Sequence, residues 1–429
     1  MFFTGSSYIK RITSVLGSLL FVSTTAVSAA SKDVATTAGM PAGQGPIKIG
    51  FIVPLTGAAA AAGQSMVDGF NLYLDQCGDK MGGRPVKFIV ENDDGNPATG
   101  VAKVHKLVKE DKVDVLSGQY LSNVCYKVAP VANSYGIPFV DCVSGADDIT
   151  QRKRLKWVIR TSWTSSGPSH PFGEYVAKTL HYKKVVTIAS DYAYGYEVVG
   201  GFQKSLEANG GEVVQKLWAP LGFTDFTEMI KSIRPDADAV FMCIVGQSAK
   251  IIPKQYKQFG PHLPVIGATT SFDEAILPTV GEDLLGAYST NPWALSLASA
   301  ANKRFVQSFR SKYGKDPGWG AECGFTNAMW IAKAVDAVKG NVSNREELMT
   351  ALRHVELKDA PRGELKLDPY GMVLENIYVR QVKKVNGKLQ NTVVATYPAV
   401  SQFWTWNPEE YMKQPPYDRN YPPCTHCAK

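Results

Sequence analysis

The sequence predicts an α/β chain made of two doubly wound lobes joined by three hinge crossings. Three observations predict it. Ile47–Val53 is an apolar run with one lysine, the pattern of a strand buried on both faces of a parallel sheet. From there strand-like and helix-like patterns alternate as far as Ile266, as βαβ units wound through right-handed crossovers do. The rhythm breaks twice, at the polar stretch 162–168 and at Asn291-Pro292, and antiparallel strand patterns close the series.

The elements follow in order. Lys10-Arg11, an apolar run over 12–26 and the small residues Val27-Ser28-Ala29-Ala30 read as a secretory signal peptide over 1–29. A membrane anchor needs about 20 apolar residues, and this run is shorter and broken by Ser and Thr. Residues 30–46, rich in Ala, Gly, Thr and Pro, read as a flexible leader. After Ile47–Val53, Pro54 stops the strand, Leu55-Thr56-Gly57 turns the chain, and a helix is expected from about Gln64 or Ser65. Strand 85–90 leads to the acidic turn 91–97, after which Thr99 is expected to cap a helix carrying Val101, Val104, Leu107 and Val108 on one face. Strand 113–116, helix 123–135 and strand 137–140 complete the first half.

Residues 157–161 form a strand before the first crossing, and the second series runs through strands 184–189, 212–218, 239–244 and 265–266 with helices at 195–209, 226–233 and 248–259. Strand 285–290 reaches the return crossing, and helices 300–313, 320–339 and 344–352 follow. Strand 363–367 and a hairpin of 377–384 with 392–396, turned at Asn386-Gly387, end the folded part. The expected division is 47–160 with 291–360 in the N-terminal lobe, 161–290 with 361–397 in the C-terminal lobe, and a surface tail over 398–429 rich in Pro, Tyr and Trp.

Bulk composition excludes several function classes. At 429 residues, 45% hydrophobic and 20% charged, the chain can bury sizeable cores. Its net charge of +7 is spread without a basic block, so no nucleic-acid partner is expected. It shows no G-x-G-x-x-G after the first strand, no phosphate-loop lysine motif, no H-E-x-x-H and no G-x-S-x-G, and its six histidines are scattered. The expectation is a binding protein with no cofactor and no catalytic residue; His170, beside the first crossing, is the one histidine to inspect. Seven cysteines leave at least one unpaired within a monomer. Cys424-Thr425-His426-Cys427 is half a zinc motif with no second pair, which favours a terminal disulfide or free thiols over a metal.

The opening strand, the acidic turn, Arg160-Thr161 at the first crossing, Asp191-Tyr192-Ala193-Tyr194-Gly195 and Asp225-Phe226, in this order over about 350 residues, resemble the periplasmic solute-binding proteins of branched-chain amino acid-type ABC transporters. The resemblance implies a type I periplasmic binding protein, leucine-binding protein-like, that closes two lobes on a small carboxylate. It further implies delivery to membrane permease subunits, a periplasmic location and action as a monomer. It places the carboxylate at two loops of the first lobe. One holds Tyr120, Ser122 and Asn123, where a hydroxyl and free amides at a helix start suit an anion; a plain helix cap by Ser122 has the same geometry. The other holds Val143, Ser144, Gly145 and Ala146, with capping by Asp147-Asp148 as its alternative. Tyr194, Trp163 and Thr269 are expected over the ligand from the other side. The chain departs from the amino-acid binders in two ways: Ala58 to Ala62 replace the usual aromatic, and Gly267 to Ser271 hold no acid for an ammonium, with Asp273 a little beyond. An aromatic or aliphatic acid is therefore expected ahead of a branched-chain amino acid. A ligand sensor for a signalling receptor is the alternative reading, and an exported enzyme a remote one.

Overall fold

A computed structural model describes residues 45–427; the signal peptide and residues 30–44 of the leader lie outside them. Among the described residues no helix is long and apolar enough to cross a membrane.

Two sheets organise the chain. In the first, β1 (Ile47–Val53), β2 (Lys80–Met81), β3 (Arg84–Asn92), β4 (Val115–Gly118), β5 (Phe139–Asp141) and β6 (Val158–Arg160) lie in the order β2-β3-β1-β4-β5-β6. All pairs are parallel except β2 with β3. β1 sits between β3 and β4, with Ile49 opposite both Phe88 and Val115, which is why every residue of it except Lys48 is buried. Helices α1 (Ala60–Gln76), α2 (Pro97–Lys109) and α3 (Ser122–Ser134) connect these strands. Two starts differ from expectation. α1 begins at Ala60 after a short 3-10 turn at Gly57–Ala59, because the alanine run is itself a good helix former. α2 is capped by Asn96, whose Oδ1 accepts from the amides of Ala98 (2.8 Å) and Thr99 (3.3 Å), with Pro97 at the first helical position.

After the first crossing comes α4 (Ser169–Lys178), a helix the sequence reading missed; Phe172, Val176 and Ala177 bury its inner face. The second sheet then collects β7 (Lys184–Ser190), β8 (Glu212–Ala219), β9 (Ala239–Cys243), β10 (Val265–Ala268) and β11 (Tyr288–Asn291). The helices between them are α5 (Ala193–Ala208), α6 (Thr227–Lys231), α7 (Ser248–Phe259) and α8 (Leu277–Val280). The chain returns through α9 (Ala300–Tyr313), α10 (Trp319–Ala337) and α11 (Arg345–Arg353), and α10 packs along α1. That contact is close: a Cβ on Gly69 would fall 1.9 Å from the Ala321 carbonyl oxygen, and one on Gly324 2.0 Å from that of Met66.

Strands β12 (Glu356–Ala360), β13 (Gly363–Leu367), β14 (Val373–Val385) and β15 (Lys388–Val400) extend the second sheet to the order β12-β13-β14-β11-β10-β9-β7-β8, with β15 on β14. The β14–β15 hairpin turns at Asn386 (φ +50°) and Gly387 (φ +79°), the two positive-φ positions a tight hairpin needs. β12 has no counterpart in the sequence reading.

The tail is more ordered than expected. It holds a short helix, α12 (Pro408–Lys413), capped by Asn407 and anchored by buried Phe403 and Tyr411. Arg152 donates to the Gln414 carbonyl (2.8 Å), Gln203 to that of Pro423 (2.9 Å) and Lys216 to that of Pro422 (2.6 Å). Cys424 and Cys427 form a disulfide, and the other five cysteines are free.

Candidate functional site

The loops that leave the carboxyl ends of the two sheets face each other. Those after β1 and β4 meet those after β9 and β10, the edge at which open α/β sheets hold ligands. Between them lies a cleft of about 720 Å³, counted out to its open mouth. Ala58, Ala61, Ala62, Ser65, Tyr120 and Trp319 line one side; Gln247, Lys250, Thr269, Thr270, Asp273 and Ile276 line the other.

The polar floor is built from the first sheet outward. Gly118 and Gln119 take positive φ (+99° and +70°), and the Gln119 amide donates to the Ile52 carbonyl at 2.7 Å. The Gln119 carbonyl in turn accepts from Val143 (3.3 Å) and Ser144 (3.1 Å), clamping the loop after β4 to the loop after β5. Backbone strain of this kind at a sheet's carboxyl edge is a common companion of a ligand site. α3 starts at Ser122 with Leu121 in the capping position and no side-chain cap, so Ser122 is not the helix cap that the sequence reading left open. Its hydroxyl is buried with no partner in the chain, as is Asn123 Oδ1, and the Ser144 hydroxyl is buried against the Cys125 thiol. The loop of Gly145 and Ala146 is held from below by Arg160, which donates to both their carbonyls and to Asp141 (3.3 Å). In a trans peptide the next N–H points opposite the carbonyl, so the Ala146 amide faces away from Arg160. Nor do Asp147 and Asp148 cap the turn after Ala146: Asp147 Oδ1 accepts from the Ser166 amide (3.2 Å) and Asp148 pairs with Arg152 (2.5 Å).

Of the predicted residues, Tyr120 and Thr269 line the open cleft. Thr269 gives its proton to the Thr290 carbonyl (2.6 Å), and its neighbour Thr270 lies against Tyr194 and Cys243. Trp163 stands behind the wall, its indole N–H on the Val143 carbonyl (2.7 Å) and its ring 5.1 Å from Trp319 and 6.0 Å from Tyr194. Tyr194 is buried beside Thr270 and Cys243, with Tyr192 at 6.0 Å, and burial pushes both phenols well up. Trp319 lines the cleft with its indole N–H buried and unpartnered. Phe272 and Trp293, two other aromatics near the crossings, are fully buried core residues. His170 is also a packing group: Tyr411 and Gly201 hold its two nitrogens and burial lowers it to about 3. Lys250, Gln247 and Ile276 were not foreseen; they come from the opposite lobe through contacts that leave no local pattern.

Asp273 decides the charge of the cleft. Its Oδ1 accepts from the Ala275 amide and its Oδ2 from the Trp319 amide, both at 2.8 Å, the second linking the two sides. Deeper, Glu197 of α5 accepts from the Tyr126 hydroxyl of α3 and from the Asp147 amide (3.2 Å). Burial raises both carboxyls, Asp147 to about 6 and Glu197 further, with each other's charge adding to the Glu197 rise.

Two sheets facing each other across a donor-rich cleft, joined by hinge strands, define a two-lobed solute-binding protein of the type I periplasmic class. The chain belongs to the periplasmic binding protein family, which matches residues 46–388. It is 28% identical over 366 residues to "Leu/Ile/Val-binding protein homolog 6" of Brucella suis biovar 1, covering 82% of this chain and 91% of that one. Among solved structures it resembles an ABC transporter substrate-binding protein from Sphaerobacter thermophilus (TM-score 0.78, 30% identity, 83% and 99% of the two chains). It also resembles a solute-binding protein of an ABC transporter from Rhodopseudomonas palustris BisB5 in complex with 3,4-dihydroxy benzoic acid (TM-score 0.79, 29% identity, 83% and 98%).

Proposed function

We propose that the chain is the exported ligand-capturing component of an ABC importer and that its ligand is an aromatic carboxylate without an α-ammonium. In this reading the signal peptide delivers it to the periplasm, and the monomer presents its closed form to membrane permease subunits. The lobes divide at the crossings after β6 and β11. Ser122, Ser144 and the amides of Ser122, Asn123 and Ala146 receive the carboxylate. Tyr120, Trp163, Tyr194 and Trp319 surround the ring. No bond is made or broken.

The observation that carries the reading is Asp273. Among the described residues it is the one carboxylate on the cleft wall, and each oxygen already accepts a backbone amide at 2.8 Å. An ammonium brought into the cleft would have to share Asp273 with those two amides and would meet the like charge of Lys250 on the same wall. The R. palustris relative bound to 3,4-dihydroxy benzoic acid supports the same ligand class.

Thermal-shift titration with benzoate, hydroxylated benzoates and leucine tests it. At a hundredfold excess over Kd a ligand adds about 2.7 kcal/mol, a shift of several degrees for the acids and none for leucine. Stabilisation by leucine alone overturns the ligand class; turnover of any solute overturns the binding role.

A further inference from the structure

Resting on that reading, we propose that the ligand is an aromatic dicarboxylate, and that Lys250 on the cleft wall takes its second carboxylate. Lys250 lies in the first turn of α7 and lines the cleft beside Gln247. A cation there is opposed by the helix dipole, and the first turn of α7 holds no acidic residue to offset it. Among the described residues no carboxylate pairs with Lys250. Asp273, on the same wall, is engaged by two backbone amides. A lysine in an unfavourable place, without an acid, on the wall of a ligand cleft is satisfied when the ligand brings the anion.

The opposite lobe has different chemistry. In the loops that adjoin Tyr120, Ser122 and Ser144 offer hydroxyls and the start of α3 offers amides, all neutral donors. The cleft also has an apolar wall of Ala58, Ala61, Ala62 and Ile276 that carries no hydrogen-bonding side chain. Loss of the bulky side chain expected at Ala58 to Ala62 leaves length for a body that spans from one end to the other. A neutral cradle, an apolar waist and a cation match a rigid aromatic body with a carboxylate at each end.

Calorimetry on the exported chain with matched pairs tests this: benzoate against terephthalate, and phenylpropanoate against its para-carboxylated form. Each dicarboxylate is expected to bind about tenfold or more tightly than its monoacid, the worth of one charge-assisted contact in a part-buried site. Lys250→Met is expected to bring the ratio down to about threefold or less, and Lys250→Arg to keep it. Raising salt should shrink the preference of the wild type and leave that of Lys250→Met unchanged. Equal affinity for the pair, or a preference that survives Lys250→Met, overturns the proposal and leaves the aromatic-acid reading standing. Binding of neither member of either pair overturns that reading itself, and this proposal with it.

Discussion

Substituting Gly246 with alanine tests whether the two lobes meet on the ligand. Gly246 follows β9 with φ +63°, and a Cβ built there lies 2.4 Å from the carbonyl oxygen of Ala58, backbone of the opposite lobe. Ordinary contact begins at 3.4 Å, so the two walls must part by about 1 Å to admit the methyl group. Overpacking of this kind costs ~1–3 kcal/mol, and in the proposed reading the form that brings Gly246 against Ala58 is the closed one. A penalty confined to the binding-competent state lowers apparent affinity by the loss of its population, here about 5–150-fold. The positive φ adds ~1–2 kcal/mol in open and closed forms alike, which lowers Tm without touching affinity. Gly222→Ala separates the two effects, because Gly222 has φ +79° with nothing within 4 Å of the added Cβ. Calorimetric affinity for the acid and melting curves on both variants are the assays. Gly246→Ala should lose affinity and stability, Gly222→Ala stability alone. If Gly246→Ala binds as tightly as the wild type, the Ala58 contact is not part of ligand closure and the reasoning fails.

Three further outcomes are expected. Ser122→Ala should weaken acid binding about tenfold while leaving Tm unchanged or raised, since it removes a buried hydroxyl that has no partner in the chain; a large Tm loss would show that the hydroxyl is structural. Glu197→Gln should raise stability at pH 8 and flatten its pH dependence. Glu197 faces Tyr126 and Asp147, with Ser165 and Asp148 alongside, and Arg160 and Tyr411 act on Asp147. The folded form holds protons on Glu197 and Asp147 that the unfolded chain releases near pH 4, so their contribution is complete below that pH. It is lost as pH rises through about 6, the value for Asp147, and beyond it for Glu197; a slope identical to the wild type's refutes the assignment. Deleting residues after Val400 should cost about 3–6 kcal/mol, the burial of Phe403 and Tyr411, read as a Tm drop of several degrees. An unchanged Tm would make the tail dispensable.

Legibility in the sequence followed the range of the forces involved. β1 and the Asn386-Gly387 hairpin were readable because burial on two faces and a pair of positive-φ residues write themselves into neighbouring positions. α4 was not, because Ser169, His170, Pro171 and Gly173 weaken its local signal and its stability comes from packing Phe172 against Phe202 and Phe241. The start of α1 was misplaced because an alanine run looks like a loop of small residues until it is seen as helix. Ser122 and Ser144 were found through the strand-to-helix junctions that precede them. Lys250 was invisible, since nothing near residue 250 says that the opposite lobe lies across from it. The fate of Asp273 was equally hidden, because one of its two partners is the amide of Trp319, 46 residues away.

The unpaired polar atoms explain why the cleft is a binding site and not a packing fault. Ser122 and the Trp319 indole each lack a partner in the chain, and leaving such a group buried and unpaired costs about 1–3 kcal/mol. Asn123 beside Ser122 and Ser162 at the first crossing also hold unpaired oxygens. A fold optimised only for stability would place Ala, Val or Phe at these positions, as it does at Ala129, Val140 and Phe241 a few residues away. The penalty is tolerable because a ligand rich in acceptors removes it, and removes more of it in the closed form than in the open one. The Asp273 contact with the Trp319 amide already ties the two sides together within the chain, and a ligand held between them adds to that link. The differential free energy that shifts an open–closed equilibrium therefore comes from donors that the protein leaves unsatisfied on its own.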